Sequence, residues 1–473
     1  MFPYRSRWTE GFGQLTSLGM QQGHALGQSL RNRYVVQHNL LREKYTRRDI
    51  VVRSTDYDRT LQTVESLLMA LYPEGPLQPK DVQPVPEHTV LKVDDLLLRA
   101  WDNSTCPALT AAMKKESNGV HKSEWDKNIA LLNGIVDSLS NATGVPAATI
   151  NINNLFKLTD VMLCNDAHGY PMPGLNAHVK NVSMEVSKFQ MEEIFGTPTL
   201  HKLTAGRLVN ELVARLHAAA AGDPQPGWDK TTFPSGDKTR GTGTGPRMAI
   251  YSAHDTTVLA VLKALGAYDG VLPPYASSVV IELVRSGSKS ARVLRGGEAA
   301  ETHAAPRAFM HLADEEVDSH GHPRRMTRRN REYLHAAASL SANEYTVRMW
   351  YNHGHTQATM FRPQDRVVPA GCRTEQEGDK DCSLEAFVHA ADPVSVAEDE
   401  IGSLCHVGSG CPSHKTLTWN NANKSVTIGV GVAGLLFGVL LSFIVTAMTR
   451  RFCGWDDPTV QDPSHQLLDT THN

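Results

Sequence analysis

Two short motifs carry side chains whose types and positions suit phosphate chemistry. Arg53 follows an apolar run at 50–52 and precedes an amphipathic stretch. His254 and Asp255 hold the same position after a second apolar run. Ligands of α/β sheets bind beyond the carboxyl ends of strands, and helix N-termini favour anions. An arginine there can hold two phosphate oxygens, a histidine can donate to one, and a carboxyl of raised pKa can protonate a leaving alcohol. The three residues therefore predict a phosphate-ester site.

Each of these residues also has a purely structural interpretation. Arg53 could form a salt bridge with Asp56 or Asp58. Asp255 could cap its own helix by accepting a hydrogen bond from a backbone N–H of the first turn. His254 and Asp255 are adjacent on a turn and point in different directions, so they do not form a hydrogen-bonded catalytic pair. Local sequence leaves the structural and functional interpretations open.

The elements that must position these residues are two strand–helix units. The first is a strand at 50–52, followed by a helix whose N-cap is predicted at Thr55 or Asp56. The second is a strand at 248–251, followed by a helix with Gly266 as its C-terminal cap. Repeated strand–helix units predict an α/β fold with helices on the faces of a sheet.

The predicted domain organisation is discontinuous. Residues 1–96 and 223–411 form the α/β domain, and 97–222, whose periodicity is mainly helical, form a smaller inserted helical domain. Within the α/β domain, 285–343 hold scattered charge and a basic cluster between two strand-like runs, which predicts a long mobile insertion. The basic cluster could contact an anionic surface or simply be solvated.

The C-terminal part predicts a membrane anchor. Residues 425–449 carry no charge and are long enough to cross about 30 Å of hydrocarbon as a helix. Arg450 and Arg451 follow at once, so the tail at 450–473 is predicted to lie in the cytosol. Residues 412–424 are a linker, and the bulk of this single-pass type I membrane protein faces the lumen or the exterior. A dileucine pair in the tail resembles a sorting signal, which leaves the endolysosomal system and the cell surface both open.

Composition and cysteine usage agree with a lumenal or extracellular domain. The 473 residues have a net charge of −3 and no basic face, which argues against nucleic-acid binding. All cysteines except Cys453 precede the predicted membrane helix, where an oxidising compartment would let them form disulfides. Glycosylation sequons begin at Asn103, Asn141, Asn181 and Asn423.

Several ordered stretches resemble the histidine acid phosphatases of the lysosomal and prostatic type. The most specific are Val-Arg-Ser-Thr-Asp-Tyr-Asp-Arg-Thr at 52–60 and Tyr-Ser-Ala-His-Asp-Thr-Thr at 251–257. The others lie at 8–16, 19–20, 26–31, 83–89, 167–169 and 274–277. The resemblance covers the chain from Trp8 to the region of Cys405, apart from two loop segments, and its motifs keep the order of the family.

This resemblance implies a mixed sheet flanked by helices, with a smaller helical domain inserted. It also implies hydrolysis of small-molecule phosphate monoesters at acid pH, without a metal or cofactor, through a covalent phosphohistidine. Members of the family are often homodimers. On the matching positions, Arg53 would hold the phosphoryl group and His254 would bind it and stabilise charge in the transition state. Asp255 would donate a proton to the leaving alcohol.

The resemblance also implies a set of disulfides. The pairs are Cys106–Cys405 and Cys372–Cys382. The family partner of Cys164 is replaced by Ser278, so Cys164 is expected to be free or to pair with Cys411.

One family motif, the Arg-His-Gly-x-Arg that carries the nucleophile, does not occur in the 473 residues. In the family it precedes the stretch that begins here at Trp8, so the matching position falls before Met1. We therefore expect the nucleophilic histidine and a secretory signal to be encoded upstream of Met1, and the chain as written to be inactive. The alternative is a membrane-anchored pseudophosphatase that binds phosphorylated ligands. An Asn-His-Gly-His echo at 352–355 follows a strand that matches a non-catalytic family strand and is not expected to replace the motif.

Overall fold

The computed structural model describes residues 7–73, 83–119, 121–221, 246–285, 345–354, 360–372 and 381–405. Its helices are α1 (Ser17–Arg31), α2 (Asp58–Leu71), α3 (Ala108–Asn118), α4 (Lys122–Asn133), α5 (Val136–Thr143), α6 (Leu155–Ala167), α7 (Ala177–Ile194), α8 (Pro198–Ala221), α9 (Asp255–Ala264), α10 (Leu384–Ala391) and α11 (Glu398–Leu404). Its strands are β1 (Ile50–Ser54), β2 (Met248–Ser252), β3 (Ser278–Arg285), β4 (Tyr345–Asn352), β5 (Arg366–Val367) and β6 (Cys382–Ser383).

The described strands form two sheets. Strands β1 and β2 pair in parallel, with Arg53 opposite Tyr251. Strands β3 and β4 pair antiparallel along their whole length, and β5 and β6 both add to β4. The predicted α/β class is confirmed. Within the described ranges no hydrogen-bonded ladder joins β2 to β3, so the predicted mixed sheet stays a prediction.

Helices α1 and α2 pack so closely that glycine is required at their contact. A Cβ atom at Gly27 would lie 2.1 Å from the Leu67 carbonyl oxygen, and one at Gly23 would lie 3.0 Å from that of Thr63. The helix pair covers β1 with apolar side chains, and each large one that is buried contributes about 1.5–3 kcal/mol. The buried cluster includes Leu30, Ile50, Val52, Val64, Leu68 and Leu71.

The helices between β1 and β2 belong to more than one hydrophobic cluster. Helices α4 to α7 share a cluster that includes Trp125, Leu139, Leu155 and Val186. Helix α8 instead contributes buried residues to the cluster formed by α9, β4 and α10. Sequence periodicity assigns α8 to the inserted helical domain, yet α8 also packs on the α/β elements. The domain boundaries stay a prediction.

The observed helix ends agree only in part with those predicted from local sequence. Helix α2 begins at Asp58 with Tyr57 as N-cap and no side-chain cap, so the predicted cap at Thr55 or Asp56 is wrong. Thr55 is unavailable because its hydroxyl contacts Thr60 Oγ1 at 2.9 Å instead. Gly266, at φ +61°, follows the end of α9 as predicted.

A partly buried ion pair connects the end of α1 to the antiparallel sheet. A six-residue π-helix, Asn32–Gln37, continues α1 and carries Arg33. The Arg33 Nε and Nη2 groups donate to the two oxygens of Glu282 on β3 at 2.5 and 2.8 Å. The hydroxyl of Tyr34 and the indole N–H of Trp350 donate to the same carboxylate at 2.7 and 3.0 Å. We call these four residues the Glu282 cluster.

The structure contains both disulfides implied by the resemblance. They are Cys106–Cys405 and Cys372–Cys382. None of the helices in the described ranges is long and apolar enough to cross a membrane. Several predictions lie outside the described residues: those for 286–343, 412–424, 425–449, 450–473, Cys411, Asn423 and Cys453.

Candidate active site

The parallel pairing of β1 and β2 brings the two sequence motifs together. Ser54 lies opposite Ser252 at the carboxyl ends of the strands. The backbone N–H of Thr55 then donates to the Ser252 carbonyl at 3.0 Å. The segments that follow therefore emerge side by side at one sheet edge, where α/β folds bind ligands. His254 and Asp255 lie in the segment after β2, whereas Arg53 lies within β1, one residue before its end.

His254 lies at the centre of this edge as the N-cap residue of α9. Its Nε2 atom is 3.1 Å from Thr55 Oγ1. The rings of Tyr57 and Trp101 meet the imidazole edge-to-face, with centroids 5.1 and 5.2 Å away. Burial and then the positive charges of Arg59 and Arg99 lower the pKa of His254 to about 3. The unliganded imidazole is therefore neutral even at mildly acid pH.

Asp255 is the first residue of α9 and lies in a recess. Solvent reaches its side chain, yet the surrounding protein desolvates the carboxyl enough to raise its pKa. The nearby charge of Asp160 adds to this increase, while the backbone N–H of Thr256, which donates to Asp255 Oδ1 at 2.7 Å, and the charge of Arg59 oppose it. Asp255 thus accepts from its own helix, but as the first helical residue and not as the N-cap that the structural interpretation predicted. It also has the raised pKa that a proton donor needs.

Arg53 forms a buried ion pair with a residue that sequence reasoning did not select. Its Nη2 atom is 3.0 Å from Asp95 Oδ1, and the two side chains are 15% and 0% exposed. The predicted structural partners, Asp56 and Asp58, are not the ones used. Nη1 donates to the carbonyl oxygens of Ser54 and, at 3.4 Å, of His88. These contacts fix the direction of the guanidinium and leave some of its five N–H donors for a ligand.

Two further arginines face His254 and were not predicted as site residues. The Arg59 guanidinium carbon lies 4.5 Å from the centroid of the Tyr57 ring, and that of Arg99 lies 5.3 Å from it. Arg59 could have been found, because it follows Arg53 within the same motif and lies in the first turn of α2. Arg99 carries no local signal, since only the fold brings it to this edge.

A second acidic residue forms part of the same recess. The hydroxyl of Tyr275 donates to Asp160 Oδ1 at 2.7 Å and is 2.9 Å from Cys164 Sγ. Burial raises the pKa of Asp160, although the Tyr275 hydrogen bond and the Arg59 charge oppose it. Cys164 is a free cysteine, one of the two predicted alternatives, and burial raises the pKa of its thiol to about 11.

The remaining sequence predictions fall away from this edge. His353, in the Asn-His-Gly echo, follows β4 and its Nε2 atom is 2.8 Å from Asp269 Oδ2. Asn103, Asn141 and Asn181 are exposed, as glycosylation requires. No group of three or more His, Cys, Asp or Glu residues within the described ranges could hold a metal ion.

Comparison with known proteins shows the family to which the chain belongs. The chain is 31% identical over 281 residues to the testicular acid phosphatase of Homo sapiens, covering 58% of this chain and 60% of that one. It is 32% identical over 291 residues to the lysosomal acid phosphatase of Xenopus laevis, with 60% and 61% covered. It is 33% identical over 292 residues to the prostatic acid phosphatase of Bos taurus, with 59% and 67% covered. The chain thus spans about three fifths of the length of the first two relatives. The model of the histidine phosphatase superfamily (branch 2) matches residues 2–295, and the chain belongs to this superfamily.

Proposed function

We propose that this protein is an acid phosphatase that hydrolyses small-molecule phosphate monoesters through a phosphohistidine intermediate. The observation that carries the proposal is the recess beside His254. It combines two arginines, Arg59 and Arg99, with the carboxyl of Asp255, whose pKa is raised. Positive charge suits a phosphate dianion, and a protonated carboxyl suits a leaving alcohol. Superfamily membership and the acid phosphatases among the relatives support the same activity.

In this mechanism, Arg53 donates to oxygens of the phosphoryl group while Asp95 holds its guanidinium in place. His254 is neutral in the empty site and donates an N–H to a phosphoryl oxygen. The bound dianion raises the pKa of His254, so the imidazole gains a proton and stabilises charge in the transition state. Asp255 enters protonated and gives its proton to the leaving oxygen.

The nucleophile is the part of the mechanism that no residue assigned above supplies. That the nucleophilic histidine is encoded upstream of Met1 stays a prediction of the family resemblance. The alternative function is a pseudophosphatase that binds phosphorylated ligands without turnover. It is favoured by one observation, the absence of Arg-His-Gly from the 473 residues.

We further propose that residues 425–449 anchor the protein in a membrane of the endolysosomal system or the cell surface, with its bulk lumenal or extracellular. The two disulfides support this placement because such bonds persist in oxidising compartments. We also propose that the sequons are glycosylated and that the protein is a homodimer.

The first experiment measures binding of inorganic phosphate and orthovanadate to the full chain by calorimetry, together with hydrolysis of para-nitrophenyl phosphate at acid pH. His254→Gln should weaken binding by about tenfold or more, because a hydrogen bond to a charged group contributes about 1.5–3 kcal/mol. The matched control is His353→Gln, whose imidazole pairs with Asp269 and should not affect binding.

Three outcomes separate the possibilities. No binding of either anion by the wild-type chain contradicts the proposal in both its forms. Binding with turnover means that the nucleophile lies within the 473 residues. Binding without turnover directs attention to the sequence in frame upstream of Met1: an Arg-His-Gly-x-Arg motif there supports the phosphatase, and a nearby stop codon without it supports the pseudophosphatase.

A further inference from the structure

Three cationic side chains surround the ring of Tyr57, next to the candidate site. The Lys92 ammonium lies 4.1 Å from the ring centroid, and the guanidinium carbons of Arg59 and Arg99 lie 4.5 and 5.3 Å from it. We call these four residues the Tyr57 cluster. A ring attracts each cation by about 0.5–1 kcal/mol at exposed sites, but it does not cancel the repulsion among three positive charges.

Carboxylates balance only part of this charge. Arg99 Nη2 is 2.9 Å from Asp102 Oδ2. Within the described part of the chain, neither Arg59 nor Lys92 has a carboxylate at ion-pair distance, and Arg59 Nη1 is 3.5 Å from the Gly13 carbonyl. The Tyr57 cluster therefore carries excess positive charge.

Two further observations indicate that this excess positive charge is available to bind an anionic ligand. The Nε atom of Arg99 is buried without a hydrogen-bond partner in the described ranges, which is rare because an unpaired buried donor costs free energy. The longer-range acidic neighbours of Arg59 are Asp160 and Asp255, and the raised pKa of each makes them weaker counter-charges at acid pH.

The cluster adjoins the position proposed for the reacting phosphate. The Tyr57 ring contacts the His254 imidazole, and the charges of Arg59 and Arg99 reach that imidazole. Lys92 approaches the same ring from a 3-10 turn, Lys92–Asp94, and is not among the charges that lower the pKa of His254. A ligand bound at His254 could therefore meet Arg59 and Arg99 first and extend towards Lys92.

We propose that the Tyr57 cluster binds a second anionic group of the substrate, a phosphate or a carboxylate carried by the leaving alcohol. The inference rests on the proposed function and narrows it to phosphate monoesters whose alcohol is itself negatively charged. Lys92 is then a specificity-determining residue, because its ammonium contacts the second anion and not the reacting phosphate.

The test compares two probes that resist hydrolysis, propylphosphonate and propane-1,3-diphosphonate, by calorimetry on the full chain at low salt. The wild-type chain should bind the diphosphonate about tenfold more tightly, the preference expected when one further charge-assisted contact is made. Lys92→Gln should abolish this preference and leave propylphosphonate affinity unchanged, whereas Lys92→Arg should keep the preference. The control is Lys114→Gln, an exposed lysine on α3.

Equal wild-type affinity for the two probes overturns the inference while leaving the proposed function intact. A preference that persists in Lys92→Gln overturns the role of this cluster, since the extra affinity then arises elsewhere. Failure of the wild-type chain to bind either probe counts against the proposed function itself. A carboxylate-bearing probe, 4-phosphonobutyrate, shows whether a carboxylate serves as well as a phosphate.

Discussion

The Glu282 cluster and the Tyr57 cluster both place arginine beside aromatic rings, but they balance charge in different ways. In the Glu282 cluster, one carboxylate receives two N–H groups of Arg33 together with a hydroxyl and an indole N–H. Both of its oxygens are used, and the pKa of Glu282 is lowered by these donors despite burial. This is a complete network, of the kind that fixes how one element packs on another.

In the Tyr57 cluster, by contrast, the positive charges lack a full set of ion-pair partners within the described residues. Three cations share one ring, and the only ion pair the described residues give them is that of Arg99 with Asp102. The partners that complete the Glu282 cluster come from π-helix and sheet, whereas the Tyr57 cluster leaves the buried Nε of Arg99 without a partner in the described ranges. Proteins tolerate such unbalanced charge chiefly at functional sites, so the difference separates a structural cluster from a ligand-binding one.

The largest expected effect concerns stability. Glu282→Gln leaves the partly buried Arg33 without its counter-charge, and should lower the free energy of unfolding by about 2–3 kcal/mol, less than the loss expected for a fully buried pair. Because the folded pKa of Glu282 is lowered, its contribution is fully present above the ordinary value of 4.5 and is lost as pH falls below it. Urea unfolding of wild type and variant at several pH values measures both predictions.

The control for this experiment is an arginine–glutamate pair whose carboxylate is exposed. Glu398 is 85% exposed and pairs with Arg207, so Glu398→Gln should cost less than about 1 kcal/mol. If the two variants lose similar amounts of unfolding free energy, the Glu282 network stabilises the fold no more than a surface pair does. The proposed contrast between the two clusters would then be wrong.

The second effect concerns anion binding and its pH dependence. Sulfate remains a dianion at mildly acid pH, so it probes the protein rather than its own titration. Its affinity should rise about tenfold between about pH 6 and about pH 4, because a bound dianion raises the pKa of His254 and binding then takes up a proton. Calorimetry in buffers of different ionisation enthalpy measures both the affinity and the proton uptake.

Protonation of Asp160 and Asp255 also favours an anion as pH falls, so a variant must isolate His254. In His254→Gln the sulfate affinity should rise less steeply as pH falls. The pH dependence that remains is then due to the carboxyls of Asp160 and Asp255. A slope equal to that of wild type would show that His254 does not exchange a proton on binding. The Glu282→Gln variant, where folded, should keep the wild-type slope because its defect lies outside the recess.

Sequence reasoning succeeded where the signal is local and failed where the fold decides. Apolar runs placed β1 and β2, and the φ preference of glycine placed the end of α9 at Gly266. Position at the carboxyl end of a strand selected Arg53, which lies within β1, and His254, which follows β2; their roles in catalysis stay predictions. Their partners were missed, since Asp95 is brought to Arg53 by a connection with no regular pattern. The excess charge around Tyr57 was missed for the same reason, because charge balance is a property of the assembled fold.

The smallest expected effect separates function from stability at a single carboxyl. The folded pKa of Asp255 is raised, so its contribution to stability is fully present below the ordinary value of 3.8 and is lost as pH rises through the folded pKa. The side chain in Asp255→Asn does not ionise, so this loss of stability at higher pH is removed. Its amide oxygen still accepts a hydrogen bond from the Thr256 N–H. The variant should therefore be more stable than wild type at about pH 7. The gain should be only about 0.5–1 kcal/mol, because solvent screens the exposed carboxyl. Below the ordinary pKa of Asp255 the variant should be no more stable than wild type. Thermal unfolding across this range measures the difference. If Asp255→Asn is instead destabilising at neutral pH, the carboxylate serves the first turn of α9 as a structural residue, and the recess loses its proton donor.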